Sequence, residues 1–164
     1  MKVALQRPPR REFHASSLAE TADIAHAVAH HARIGDVIAL WGDLGAGKTA
    51  FARAFLQARA GEPLEVPSPT FTLVQPYELG SGAVWHFDCY RLKSPSEVYE
   101  LGFEDALSQA ILLVEWPEKL ANLLPGKRLD VRLGYGAGPE HRDIVLEGAG
   151  SWRERLGKLA VAHG

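Results

Sequence analysis

The sequence predicts an α/β fold with a mixed sheet. Two short apolar runs, Val37–Trp41 and Ile111–Glu115, are typical of parallel strands that are buried on both faces of a sheet. Helical segments lie between these runs, and two pairs of β-favouring segments have the form of hairpins. We therefore expect a central, mainly parallel sheet with helices packed on it and antiparallel hairpins at its edges.

The helices before and after the first apolar run have clear end signals. In 17–32 the apolar residues recur at helical spacing, and Ser17 with Glu20 three positions later has the form of a capping box. The segment 48–60 is rich in helix formers and is followed by Gly61, a residue type common at helix C-termini. A helix is therefore expected on each side of the first strand.

The rest of the chain predicts shorter elements. Ser94 and Pro95 combine an N-cap residue with a proline at the first helical position, so a short helix is expected through 101. Three prolines make 62–69 a loop. The other predicted elements are hairpins at 71–78 with 83–88 and at 129–135 with 142–147, and helices at 104–109, at 117–124 and after Ser151.

Length and composition indicate one globular domain. The chain has 164 residues, of which 46% are hydrophobic and 23% charged. A chain of this length can bury one hydrophobic core but is too short for two ordinary domains, so 1–164 is interpreted as a single domain. A formal net charge of −2 provides no overall field for tight autonomous binding to nucleic acid. Residues 1–12 are expected to form a flexible basic arm that carries Lys2, Arg7, Arg10 and Arg11.

The sequence also indicates where in the cell the protein is expected. It has no run of about 18 apolar residues, and its N-terminus lacks the apolar stretch of a signal peptide. A cytoplasmic protein that does not contact a membrane is expected. The single Cys89 cannot form an internal disulfide, which agrees with a reducing compartment, and we interpret it as a buried structural thiol.

The most informative segment is a glycine-rich turn between the first strand and the second helix. Nucleotide phosphates need several donors that point inward, and the backbone of such a turn, with the N-terminus of the next helix, supplies them. A lysine then adds a charge near the β- and γ-phosphates, and a following hydroxyl can bind Mg²⁺. The segment fits this pattern as a phosphate-binding loop: Gly42-Asp43-Leu44-Gly45-Ala46-Gly47-Lys48-Thr49.

Two carboxylates lie where a hydrolytic or transfer site needs them. Such a site requires an acid at the end of a neighbouring strand to hold Mg²⁺, and a group that positions the nucleophile. Glu115 ends one apolar strand and Asp88 ends another predicted strand. The motifs Asn/Thr-Lys-x-Asp and Asp-x-x-Gly, which guanine-specific proteins normally carry, are both absent from the sequence. ATP with Mg²⁺ is therefore the expected ligand.

Two other features remain open from residue spacing alone. Trp41 and Trp116 lie beside buried strands, where a tryptophan either packs in the core or stacks on a nucleotide base. The loop that holds Ser68, Thr70 and Thr72 is either a segment that senses the γ-phosphate or a proline-defined turn that enters a strand.

Four segments, taken in order, carry a family resemblance. They are the loop at 42–49, Ser-Pro-Thr-Phe-Thr-Leu-Val at 68–74, His-Phe-Asp-Cys-Tyr-Arg-Leu at 86–92 and Val-Glu-Trp-Pro-Glu at 114–118. Together they resemble the bacterial TsaE family, also called YjeE, of tRNA threonylcarbamoyladenosine biosynthesis proteins. The resemblance spans roughly residues 17–147 and implies a P-loop NTPase-like, three-layer fold.

The resemblance also implies a function. It suggests an ATPase that works beside the TsaD and TsaB proteins when a threonylcarbamoyl group is placed on an adenosine next to the tRNA anticodon. The ATPase would not transfer that group itself and would contact tRNA at most indirectly. Its ATP hydrolysis, slow alone and stimulated by the partners, would reset the complex between cycles.

Site roles follow from the same resemblance. Lys48 would contact phosphate and take part in catalysis, Thr49 and Glu115 would hold Mg²⁺, and Asp88 would orient water or link to the metal. Ser68, Thr70 and Thr72 would form a switch-like segment, with Thr70 on the nucleotide side. Trp116 and, with less support from its surroundings, Arg142 would also lie on the nucleotide side. The sequence departs from the family pattern at Ala50 and Cys89, and neither change predicts a loss of function.

Two other functions fit a phosphate-binding loop. A small-molecule kinase would need an acceptor pocket and usually an arginine-bearing lid, and the sequence has no arginine-rich insertion. A nucleotide-gated binding module would act through the surface that it exposes with ATP bound.

Overall fold

A computed structural model describes residues 9–67, 69 and 71–162. Seven strands form one sheet: Arg10–Ala15 (β1), Val37–Trp41 (β2), Val74–Leu79 (β3), Gly82–Asp88 (β4), Ile111–Glu115 (β5), Leu129–Tyr135 (β6) and Arg142–Gly148 (β7). Within this described part of the chain, four α-helices and two 3₁₀ helices accompany the sheet: Leu18–His31 (α1), Lys48–Ala60 (α2), Phe103–Gln109 (α3), Trp152–Gly157 (α4), Pro95–Leu101 and Pro117–Leu123.

The sheet is mixed and mainly parallel, as predicted. Its strand order is β1-β7-β6-β2-β5-β4-β3. The central strands β6, β2, β5 and β4 are parallel neighbours, and β1 runs in the same direction because it is antiparallel to β7, which is antiparallel to β6. Only β3 and β7 run the other way. The carboxyl ends of β2, β4 and β5 therefore meet at one edge of the sheet.

Helices cover both faces of the sheet and give the three predicted layers. One core packs α1, α2 and α4 against the sheet, with Phe51, Phe55 and Trp152 among its largest buried side chains. The other core packs α3 and both 3₁₀ helices against β4 and β5, around Phe87 and Phe103. These two rings meet edge to face, with centroids 5.6 Å apart.

The first strand corrects the predicted flexible arm. Residues 10–12 of the segment 1–12 lie in β1 and pair with 145–147 of β7, while Lys2 and Arg7 lie outside the described residues. Phe13 and Ala15 are buried in the core, and the Arg11 guanidinium donates to the carbonyl of Leu159 at 2.7 Å. Apolar and polar residues alternate over only a few positions of β1, and the outward residues are charged or polar, so the sequence resembled a solvated arm.

Most other elements agree with the sequence, and their ends differ for local reasons. Ser17 caps α1 by accepting from the Glu20 N–H at 3.1 Å, whereas the Glu20 carboxylate accepts from the N–H and hydroxyl of Ser16. The strand expected from 71 begins at Val74, because Leu73 has φ 68° and its N–H closes a turn onto the Pro69 carbonyl. The helices at 95–101 and 117–123 are 3₁₀ helices, the second kinked at Ala121. In the described part of the chain, no helix has the length and apolarity needed to cross a membrane.

Candidate functional site

The phosphate-binding loop leaves β2 at the centre of the sheet and leads into α2. Gly42 passes so close to β6 that a Cβ atom there would lie 2.7 Å from the Leu133 carbonyl oxygen. Gly47 precedes α2 with φ 108°, a conformation that side chains rarely adopt, and provides no side-chain cap. The N–H groups at the start of α2 therefore point into the loop, where an anion can accept from them.

Lys48 is the buried cation of this loop. Its Nζ donates to the carbonyls of Gly42 at 2.6 Å and Asp43 at 2.9 Å, and lies 4.0 Å from the centroid of the Trp116 ring. Burial lowers the pKa of Lys48, and the nearby carboxylates, Glu115 first among them, act in the opposite direction. The ammonium is thus held at the base of the loop beside the acids of the neighbouring strands.

Thr49 and Glu115 face each other across the site. The Thr49 hydroxyl donates to Glu115 Oε1 at 2.8 Å, and Glu115 Oε2 lies 2.6 Å from His86 Nε2. Both His86 and Glu115 are buried. The carboxylate is therefore fixed at both oxygens, with one oxygen turned toward the first residues of α2.

The sequence pattern alone indicated no role for His86. Its ring Nδ1 has no hydrogen-bond partner among the described residues, so the hydrogen bond of its side chain is with Glu115. A carboxylate needs a donor, which indicates the tautomer with the proton on Nε2. One feature of the sequence could have pointed to His86. It is a polar residue two positions from both Val84 and Asp88 in β4, so its side chain is on the same, buried face of the strand. Spacing alone did not show which acid it would meet.

Asp88 and Glu115 lie side by side because they are paired residues at the carboxyl ends of β4 and β5. Side chains of directly paired residues in a parallel ladder point to the same face of the sheet. Asp88 Oδ1 accepts from the Tyr90 N–H at 3.0 Å, which fixes the carboxylate as the chain leaves β4. The structure thus brings together the two acids that the sequence predicted.

Trp116 forms one wall of the site. It has φ 55° and ψ 51°, a conformation that is uncommon for a bulky residue and that turns its ring back over Lys48. Its ring centroid lies 4.9 Å from that of Tyr90. The indole therefore packs on the margin of the second core and reaches the lysine of the phosphate loop. Trp41, by contrast, packs under Arg132 and donates to Asp130.

These groups enclose a cavity of about 300 Å³. The predicted site residues that line it are Leu44, Gly45, Gly47, Lys48, Thr49, Asp88, Glu115 and Trp116, and Ala50 and Tyr90 complete the wall. Gly42, Asp43 and Ala46 belong to the loop without lining the cavity, and Arg142 contacts the loop from outside it. Ser68 and Thr70 lie outside the described residues, and Thr72 lies in an exposed turn.

The donor set fits Mg²⁺ held together with phosphate. Mg²⁺ prefers oxygen ligands and is usually bound by one or two protein groups plus phosphate oxygens and water. The Thr49 hydroxyl and a Glu115 oxygen are 2.8 Å apart, and Asp88 is adjacent. Among the described residues no group of three or more His, Cys, Asp or Glu side chains could hold an ion alone. The protein side therefore suits a metal shared with a nucleotide.

Cys89 follows Asp88 and is a buried thiol, as expected. Burial raises the pKa of Cys89 to about 12, and the carboxylates of Asp88, Glu115 and Glu118 add to this rise. The thiol is therefore neutral and unreactive beside the acids, which supports a structural role.

Comparison with known proteins decides the family. A sequence model described as "Threonylcarbamoyl adenosine biosynthesis protein TsaE" matches residues 15–144. The chain belongs to the TsaE family. Proteins named "tRNA threonylcarbamoyladenosine biosynthesis protein TsaE" are similar to it. The one from Rickettsia felis is 44% identical over 114 residues, 70% of this chain and 67% of that protein.

Further relatives extend the match over most of the chain. The protein of the same name from Bacillus subtilis is 38% identical over 145 residues, 88% of this chain and 89% of its own length. The crystal structure of B. subtilis YdiB superposes with a TM-score of 0.78 at 31% identity and covers 93% of this chain and 95% of that one. The family implied by the four sequence motifs is therefore confirmed, as is the fold class.

Proposed function

We propose that this member of the TsaE family is the ATP-binding and ATP-hydrolysing subunit of the cytoplasmic machinery that makes tRNA threonylcarbamoyladenosine. The observation that carries the proposal is the convergence of Lys48, Thr49, Asp88 and Glu115 on one cavity at the phosphate loop. A loop that serves only as a turn needs neither a buried lysine nor two paired acids at the ends of adjacent strands. The family relatives support the link to tRNA modification.

Each side chain has an assigned task in this proposal. The Lys48 ammonium exchanges a loop carbonyl for β- and γ-phosphate oxygens, and the N–H groups of the loop and of the α2 N-terminus donate to the other phosphate oxygens. Thr49 and Glu115 would hold Mg²⁺, which when bound would neutralise charge that develops on the phosphates. His86 fixes the Glu115 carboxylate from behind.

Asp88 is assigned to the water. A water molecule attacks the γ-phosphorus while the bond from that phosphorus to the bridging oxygen breaks, and ADP leaves with that oxygen. Asp88 accepts a hydrogen bond from the attacking water, whose proton passes to the inorganic phosphate product or to solvent. The Tyr90 N–H holds one Asp88 oxygen in place, so the carboxylate enters the reaction already oriented. Trp116 and Tyr90 exclude bulk water from that side of the site.

We propose TsaD and TsaB as the partners that stimulate hydrolysis, with tRNA contacted at most indirectly. The exposed side chains of Leu44 and Tyr90 lie at the rim of the nucleotide cavity, where a partner can cover them. In this arrangement hydrolysis resets the complex between catalytic cycles. The transfer of the threonylcarbamoyl group belongs to the partners.

Nucleotide binding by the purified protein tests the site. Lys48→Ala should abolish measurable binding of Mg-ATP in calorimetry. Lys158→Ala changes an exposed lysine at the C-cap of α4, and this matched control should bind as the parent protein does. Equal binding by both variants would refute the assigned site. Thermal melts of both proteins check that the fold is retained.

A product assay separates this function from a small-molecule kinase. Incubation with radiolabelled ATP and a cell extract should release labelled inorganic phosphate alone. The appearance of a labelled small metabolite that is lost with Asp88→Asn would favour the kinase and contradict a hydrolytic role.

A further inference from the structure

The outside of the phosphate loop is held by the end of the β6–β7 hairpin. Tyr135 ends β6 and Arg142 begins β7, and the two residues are paired in the antiparallel ladder. The Arg142 Cζ lies 5.1 Å from the Tyr135 ring centroid, so the guanidinium and the phenol form one unit. Neither residue lines the nucleotide cavity.

This unit donates to three consecutive carbonyls of the loop. The Tyr135 hydroxyl donates to the Leu44 carbonyl. The guanidinium of Arg142 donates from Nη2 to the Gly45 carbonyl at 3.3 Å and from Nε to the Ala46 carbonyl at 2.9 Å. Its Nη1 donates to the carbonyls of Pro139 and His141 within the hairpin. Arg142 is therefore anchored to the hairpin at one end and to the loop at the other.

The direction of these carbonyls fixes the direction of the loop N–H groups. In a planar trans peptide the carbonyl of one residue and the N–H of the next point opposite ways. The outward carbonyls of Leu44 and Ala46 therefore direct the N–H groups of Gly45 and Gly47 away from the hairpin, and both glycines line the cavity. The intervening Ala46 N–H closes a turn within the loop onto the Asp43 carbonyl at 3.0 Å.

We propose that Tyr135 and Arg142 are positioning residues of the nucleotide site, a clamp that aims the N–H groups of Gly45 and Gly47 at phosphate. The proposal rests on the proposed function of the loop. It replaces the role that family resemblance implied for Arg142, a direct contact with nucleotide. The clamp should affect only the binding of the phosphate chain of the nucleotide, because every group that the clamp orients belongs to the phosphate loop.

The clamp predicts which ligands lose affinity. Tyr135→Phe removes one hydroxyl and keeps the ring, and should weaken ATP, ADP and inorganic pyrophosphate by the same factor, about 3- to 10-fold. Arg142→Met removes two donors and should weaken all three by about 10- to 100-fold. Arg142→Lys keeps the charge but cannot span two carbonyls, so its affinities should resemble those of Arg142→Met.

Matched controls come from the same chain. Arg132 lies on the same hairpin and stacks on Trp41, with its Cζ 4.7 Å from the ring centroid, so Arg132→Met removes an equal charge and a similar contact. Tyr99→Phe removes the hydroxyl of another exposed tyrosine. Both controls should change affinity for the three ligands by less than about twofold.

The experiment is calorimetric titration of each variant with the three ligands, together with a thermal melt. Equal losses for all three, with an unchanged melting temperature, support the clamp. Losses confined to ATP and ADP would show that Tyr135 or Arg142 contacts the nucleoside, and full affinity in Arg142→Lys would show that charge alone suffices. Either result overturns the clamp, as does unchanged binding. If Lys48→Ala also bound all three ligands normally, the proposed function itself would fail, which is a separate outcome.

Discussion

The ion pair between Arg155 of α4 and Asp36, before β2, should dominate the stability contributed by the C-terminal helix. Arg155 donates to both Asp36 oxygens, at 2.7 and 2.8 Å, and also to the His31 carbonyl and the Ser151 hydroxyl, each at 2.7 Å. The side chains of Arg155 and Asp36 are only 5% and 11% exposed. Arg155→Met keeps the length of the side chain and removes every one of these donors.

The expected loss follows from the carboxylate that remains. Removal of one partner from a buried ion pair typically costs about 3–5 kcal/mol, because the other charge stays buried without its counterion. A chain of this size loses roughly 2–4 °C of melting temperature per kcal/mol, so Arg155→Met should melt about 6–20 °C lower. Such a loss is a large share of the total stability of about 5–15 kcal/mol that is typical of folded proteins.

Thermal and chemical unfolding of two further variants tests this reasoning. Lys158→Met, at the C-cap of the same helix, breaks an exposed pair with Glu154, so its melting temperature should stay within about 2 °C of the parent value. Asp36→Asn added to Arg155→Met should recover part of the loss, because it removes the buried charge. The reasoning fails if Arg155→Met and Lys158→Met are equally stable, or if the second substitution deepens the loss.

Three other predictions concern the site itself. Asp88→Asn should lower the rate of ATP hydrolysis at least about 100-fold and change the ATP affinity less than about threefold, because Asp88 acts on water; equal losses in both would place it in binding instead. Glu115→Gln should weaken nucleotide binding only when Mg²⁺ is present, measured by titration with and without EDTA; a metal-independent loss would contradict a ligand role. Cys89 should resist alkylation at pH 8 in the folded protein and react once it is unfolded, as read by mass spectrometry. Since its folded pKa of about 12 lies above the reference value of 9.0, the folded state keeps a proton that the unfolded state releases. Stability should therefore fall between about pH 9 and 12 in the parent protein, and fall less steeply in Cys89→Ala.

The sequence predicted the parts of the fold that depend on local pattern. The strand before the loop and the helix after it follow from Val37–Trp41 and from the composition of 48–60, and both are present. Asp88 and Glu115 were also predicted as strand-end acids of one site, and each ends its strand, β4 and β5. Position along the chain sufficed in these cases.

What the sequence missed depends on contacts between distant residues. The strand β1 is fixed by pairing with β7, whose paired residues lie 127 to 137 positions further along the chain, and its own pattern is too short and too charged to show this. The contacts of His86 with Glu115 and of Arg142 with the loop arise from the strand register and from side-chain direction. The motif and the resemblance placed His86 and Arg142 near the candidate site but did not identify the atoms that their side chains contact.

We propose that ATP hydrolysis takes place at the phosphate loop and is stimulated by the partner proteins. The most direct measurement is phosphate release by the purified chain, alone and with TsaD, TsaB and tRNA, compared between the parent protein and Lys48→Ala. We expect slow release by the parent alone, faster release with the partners, and none above background for Lys48→Ala in either condition. Equal release by the parent and by Lys48→Ala in the presence of the partners would contradict the claim.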